Sequence, residues 1–117
     1  MKLLQMDKFS FSIEAAKAAL EKESGHPFTI LMQHGTMQLE YFAPDKTDTQ
    51  TPHRQDEIYV IASGSSEFYR DDATITCKSG DVLFVPAGME HRFINFSSDF
   101  ATWVIFYGAD GGEKSGG

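Results

Sequence analysis

The sequence predicts an all-β domain with one N-terminal helix, and three observations lead there. From Phe28 onward, apolar and polar residues alternate in short runs separated by turn residues. Before Phe28, a single run of strong helix formers, Ile13 to Glu23, stands between Ser12 and Gly25. Residues 80–95, GDVLFVPAGMEHRFIN, read as strand, turn, strand, with Gly80, Pro86 and Gly88 as the punctuation. About eight short, evenly spaced strands close into a barrel or stack as a sandwich, because either arrangement limits exposed edges.

Each element has its own signal. Ser12 is the N-cap of the helix, whose apolar residues Ile13, Ala16, Ala19 and Leu20 share one narrow face. Gly25 ends it and Pro27 prevents resumption. Residues 28–34 and 37–42 are two strands joined at Gly35-Thr36, a hairpin signal. A polar loop runs to Thr51, and residues 58–62 form the next strand before Gly64. Residues 67–70 and 74–77 make a second hairpin across Asp71-Asp72-Ala73, and 100–107 is a nearly continuous apolar strand. The organisation is thus a helical extension over 1–27, a β domain over 28–107 and a flexible Gly-rich tail over 108–117.

Composition narrows the function classes. Seventeen acidic against ten basic residues give a net charge of −7, which works against nucleic-acid and anionic-membrane partners. No apolar stretch is long enough to span a bilayer, and the opening MKLLQMDKFS lacks the apolar core of a signal peptide. Cys77 is the only cysteine, so an internal disulfide is excluded. A cytoplasmic location is the expectation. Ten phenylalanines, mostly within strand-like runs, predict an aromatic-rich core.

Residues 80–95 fit the template G-x5-P-x-G-x2-H-x3-N at all five specified positions. At roughly 5% usage per residue type, a chance match somewhere in about 100 registers is on the order of a few in 10^5. The stretch resembles the second motif of the cupin family. The first motif of that family, G-x5-H-x-H-x3,4-E-x6-G, is met in part by His53, Glu57 and Gly64. Thr51 stands where the first histidine belongs, and Asp45 where the leading glycine belongs. The chain therefore resembles a small single-domain cupin of the bacterial cupin 2 type, which implies a double-stranded β-helix, or jelly-roll, barrel.

The resemblance also implies a divalent metal inside the barrel. Carried over residue by residue, His53, Glu57 and His91 remain as ligands. Two imidazoles and one carboxylate suit non-haem Fe(II), while Zn, Mn and Ni accept the same set, so iron is favoured only weakly. Strand parity puts Glu57 in one row with Tyr59, and His91 in another with Phe93 and Asn95, as supporting residues. Thr51 shares the parity of His53 and points inward with a hydroxyl for a metal-bound water; Gln50 is the substitute ligand if the loop shifts register by one.

The implied function is a metal-binding small-molecule cupin of unknown substrate, with dioxygenase and isomerase chemistry both suited to the site. No catalytic residue and no organic cofactor fingerprint stands out. Two other readings stay open: a non-catalytic sugar or metabolite binding module, and a cupin whose metal site has decayed at Thr51. The last strand, apolar on both faces, predicts a homodimer. His26, His34 and the Asp71-Asp72 pair read as surface and turn residues, and Asp56 faces away from Glu57.

Overall fold

The computed structural model describes residues 9–114, so the first eight residues of the expected extension and the last three of the expected tail lie outside it. Helix α1 (Ile13–Glu21) starts at its cap: Ser12 Oγ accepts the Ala15 N–H at 3.1 Å. It stops two residues short of the run of helix formers, at Lys22, and Gly25 then takes a left-handed φ of 80°. Nine residues are too few for a helix to persist alone in water. What holds α1 is the seating of Ala16 against Tyr41 and Ala101 on the sheet, with Leu20, Leu31 and Trp103 around them.

Eight strands follow: β1 (Phe28–His34), β2 (Met37–Phe42), β3 (Asp56–Ser63), β4 (Ser65–Arg70), β5 (Ala73–Lys78), β6 (Val82–Val85), β7 (His91–Ile94) and β8 (Ala101–Tyr107). All pairings are antiparallel. One sheet has the order β1-β2-β8-β3-β6 and the other β5-β4-β7. The chain passes from the first sheet to the second at Gly64, with φ 74°. A Cβ there would sit 2.8 Å from the Phe100 Cα, so the glycine that closes the first motif is required by backbone packing.

The two sheets enclose one core. Tyr59, Ile61, Val85, Val104 and Phe106 come from the larger sheet, and Phe68, Cys77 and Phe93 from the smaller. Phe93 is its hub, with ring centroids 4.8 Å from Phe68, 4.8 Å from Phe100 and 4.9 Å from Tyr59. The phenylalanine-rich composition is spent here.

The expected jelly-roll barrel is met in part. The ladders do not join into a closed barrel: β6 pairs with β3 alone and β5 with β4 alone. β6 is four residues long and ends at Pro86, which leaves little edge for a further partner. A side chain bridges instead, with Arg70 Nη1 donating to the Phe84 carbonyl at 2.9 Å. Beyond β8, Gly111 N–H donates to Arg54 O, and Glu113 N–H to Asp56 Oδ2 at 2.8 Å, so residues 111–113 are hydrogen-bonded to the body. Among the described residues no helix is long and apolar enough to cross a membrane.

Candidate metal centre

Period-two geometry turns Glu57, Tyr59 and Ile61 of β3 toward the core, where they are 0%, 0% and 2% exposed. Asp56 faces the other way and receives the Ala87 N–H at 2.9 Å. On β7, His91 and Phe93 point inward by the same rule. The turn between β6 and β7 ties the two motifs together: Gly88, at φ 80°, donates its N–H to the His53 carbonyl at 2.8 Å. A second tie comes from the loop before β3. The buried Asp48 carboxylate accepts the Phe93 N–H at 2.8 Å and both the backbone N–H and the side-chain amide of Gln50.

These ties bring one ligand atom from each of His53, Glu57 and His91 within 4.8 Å of one another. His91 Nε2 lies 2.9 Å from Glu57 Oε2, and His53 Nε2 lies 3.8 Å from Glu57 Oε1. His91 Nδ1 is 2.9 Å from the Met89 carbonyl, which fixes a proton on Nδ1 and turns Nε2 toward the centre. The short approach of His91 to Glu57 Oε2 lacks hydrogen-bond alignment, and Glu57 Oε1 has only His53 Nε2 near it at 3.8 Å, so His91 Nε2 and Glu57 Oε1 are both buried polar atoms without a hydrogen-bond partner. It is a contact of charge rather than a directed bond.

The electrostatics follow from burial and from Glu57. Burial pulls His53 below its ordinary range, against the opposing pull of Glu57, so its imidazole is neutral and available as a donor. Burial also pulls His91 down, but its contact with Glu57 and the Met89 carbonyl outweigh that, and its pKa is raised. A fully buried carboxylate with one oxygen unpartnered is costly unless positive charge sits beside it. Two imidazole nitrogens and a carboxylate converging at this spacing form a donor set that fits a divalent first-row metal.

The supporting residues separate clearly. Gln50 Oε1 lies 3.1 Å from His53 Nε2 and 3.1 Å from the Tyr59 hydroxyl, so it reaches the centre. Thr51, expected to point inward, is exposed at the cavity rim instead. Strand parity does not extend into the loop, where the Asp48 turn rather than a pleat decides which residue faces in. The Tyr59 hydroxyl also approaches Glu57 Oε2 at 3.3 Å, and its pKa is raised well above its usual value, chiefly by burial. Phe93 packs beneath the site. Asn95 is exposed: β7 ends at Ile94, Asn95 turns at φ 52°, and its amide donates to Glu67 outside the centre.

A cavity of about 660 Å³ opens onto the site, lined by Glu40, Phe42, Asp48, Gln50, His53 and Phe106 among others. Three of these escape a reading of the sequence. Asp48 lies in a polar loop and looks like any turn residue. Glu40 shares a face with Gln38 and Phe42 on β2, and its inward direction becomes plain only when β2 is set beside β8. Phe106, whose ring stands edge-on to His53 with centroids 4.9 Å apart, reads simply as core.

Residues 38–107 match the family described as Cupin domain. The chain belongs to the cupin family. It is 32% identical over 108 residues to an uncharacterised protein of Streptomyces coelicolor, covering 91% of this chain and 95% of that one. Among solved structures, this cupin is similar to a Cupin 2 conserved barrel domain protein of Salinispora arenicola, with a TM-score of 0.65 at 20% identity over 87% and 89% of the two chains. That likeness is one of fold. A structure from Ralstonia eutropha, described as a candidate mannose-6-phosphate isomerase, aligns at TM-score 0.54 and 26% identity, covering 74% of this cupin and 91% of that chain.

Proposed function

We propose that this cupin holds a divalent cation through His53, Glu57 and His91 and uses it to bind a small oxygen-bearing molecule entering through the cavity. The observation that carries this is the pair of orphaned buried atoms, Glu57 Oε1, 3.8 Å from His53 Nε2, and His91 Nε2, 2.9 Å from Glu57 Oε2, neither with a hydrogen bond. Gln50 supplies a neutral oxygen at the position that Thr51 leaves vacant. A divalent cation held there would supply a Lewis-acidic centre. Iron, zinc, manganese and nickel all suit the donors, iron by a small margin.

The chain's own contributions follow from geometry. Met89 O sets the His91 tautomer, and Asp48 aims Gln50. Phe42 and Phe106 exclude water from the cavity wall, and the buried Tyr59 hydroxyl stands beside the Glu57 carboxylate as a proton donor. Oxidation by dioxygen and isomerisation both fit a site of this kind. The Ralstonia relative's description lends support to the second. Elemental analysis of protein purified without chelators tests the reading. Stoichiometric first-row metal in the wild type and its loss in His91→Ala supports it; metal-free wild type that takes up no added iron, zinc, manganese or nickel overturns it. Metal uptake without turnover of any sugar phosphate or oxygen-dependent substrate leads instead to a binding module.

A homodimer is part of the same proposal. Phe84, Ile58 and Ile105 lie side by side on the outer face of the larger sheet, as do Val82, Val60 and Trp103. Helix α1 covers the Trp103 end, while Val82 and Phe84 stay 63% and 47% exposed.

A further inference from the structure

Glu40 stands in the wall of the cavity, apart from the three candidate ligands. In the sheet it pairs with Val104, and Val104 pairs with Tyr59, so Glu40 shares the inner face two ladders away from Tyr59. The next row runs Gln38, Phe106, Glu57. Its carboxyl has one neutral donor, Gln38 Nε2 at 2.9 Å, and Gln38 in turn accepts from Gln33 Nε2 at 2.7 Å. Among the described residues, the ion pairs include none to Glu40. The charged groups that face the same cavity are Asp48, His53 and Arg54 from the loop and Asp110 beyond β8, with Glu57 behind them on β3; Arg54 is paired with Asp110 at 3.7 Å rather than with Glu40. A half-buried carboxyl between Phe42 and Phe106, with two other carboxyls near and no cation paired to it, is disfavoured in its charged form. Burial raises its pKa, the Gln38 hydrogen bond opposes, and the charge of Glu57 raises it again, to about 7.

Resting on the reading of His53, Glu57 and His91 as cation ligands, we propose that Glu40 is the proton-exchanging residue of this cavity, accepting the proton of an ionisable hydroxyl on a small ligand bound there. In that step the ligand O–H bond breaks, an O–H bond forms on a Glu40 carboxylate oxygen, and the electron pair stays on the ligand oxygen. A positive charge at Glu57 offsets one of the causes that keep Glu40 protonated. Loading the centre therefore lowers the Glu40 pKa, releases part of its proton and increases the carboxylate fraction able to accept another. The site accordingly suits hydroxy acids, enediols and hydroxamates better than ligands with no proton to give.

The test is calorimetry with zinc alone at pH 7, in two buffers of different ionisation enthalpy, followed by acetohydroxamic acid on the zinc-loaded protein. Zinc should displace a larger fraction of a proton from the wild type than from Glu40→Gln. Acetohydroxamic acid should then release more proton to the buffer in Glu40→Gln than in the wild type. Gln38→Leu, which keeps Glu40 but deletes its donor, should shift the zinc-linked release to higher pH, and this holds the test open if Glu40→Gln folds poorly. Equal proton counts in wild type and Glu40→Gln at both steps, with zinc bound, overturn the proposal while leaving the cation reading intact. Failure of the wild type to bind zinc or any other first-row divalent ion overturns both.

Discussion

Asp48 Oδ2 accepts the Phe93 N–H at 2.8 Å across 45 positions of sequence, and through it the loop before β3 is fastened to β7. The same oxygen receives the Gln50 side-chain amide at 2.8 Å, so one buried carboxylate both joins the two ligand-bearing segments and aims Gln50 at the centre. Asp48→Ala leaves a buried strand N–H without an acceptor, and the expected loss is about 1–3 kcal/mol. Urea unfolding should show that loss, and cation titration should show weaker binding in the same variant. A variant as stable as the wild type would mean that the bond is idle.

Cation binding should stabilise the fold, because the buried Glu57 charge is offset only in the folded state. At a hundredfold excess over Kd the expected gain is about 2.7 kcal/mol. Glu57→Gln and His91→Ala should abolish the cation-dependent rise in Tm. The affinity should also strengthen as pH rises through the His91 pKa, which is raised against burial by Glu57, since the proton and the cation compete for Nε2. Thermal melts with and without zinc across a pH series read both effects. A gain in Tm that persists in His91→Ala would place the cation elsewhere.

Gln50 and Thr51 make a sharper pair. Gln50 Oε1 is 3.1 Å from His53 Nε2, whereas Thr51 is exposed at the rim. Gln50→Ala should weaken cation binding about 10- to 100-fold, the range expected of a group that orients or completes a ligand set. Thr51→Ala should change it little. The reverse ranking would return the fourth position to Thr51.

How much of this was legible in the sequence depended on the physics of each part. All eight strands and the helix follow from period and punctuation, and β1 and β2 have the bounds that their turn residues predict. Glu57 and His91 face inward by strand parity, which is local, while His53 is identified by motif spacing and held by the Gly88 N–H on its carbonyl. Thr51 and Asn95 fall elsewhere for the complementary reason: Asn95 follows the end of β7 and Thr51 lies in the loop before β3, where parity lapses and a turn decides direction. Asp48 and Glu40 were invisible because their roles depend on contacts across the fold, one with a strand 45 residues on and the other with a neighbouring ladder. The closed barrel was the default for so many short strands, but the four-residue β6 leaves the two sheets unjoined.

The outer sheet face offers a test of association. If copies pair through Phe84 and Val82, sedimentation at micromolar concentration should give a dimer, and Phe84→Glu should give a monomer. Phe84 lies on the face away from the core, so the change should spare cation binding. A wild-type monomer at that concentration removes the dimer.

Glu40 gives stability a pH dependence whose sign can be worked out. Its pKa is about 7 in the folded chain against an ordinary 4.5, so between these values the folded state binds more protons than the unfolded one. Stability must then fall as pH rises through that window: the contribution is complete below pH 4.5 and is lost above about pH 7. Glu40→Gln cannot ionise and escapes the loss. Its stability relative to wild type should therefore improve between pH 5 and pH 8 by on the order of 1–2 kcal/mol, the half-exposed setting keeping the figure below that of a fully buried group. Comparing the two proteins at each pH cancels the opposing titrations of His53 and His91, which both contain. Parallel stability curves for the two metal-free proteins would show that Glu40 ionises as an ordinary surface glutamate.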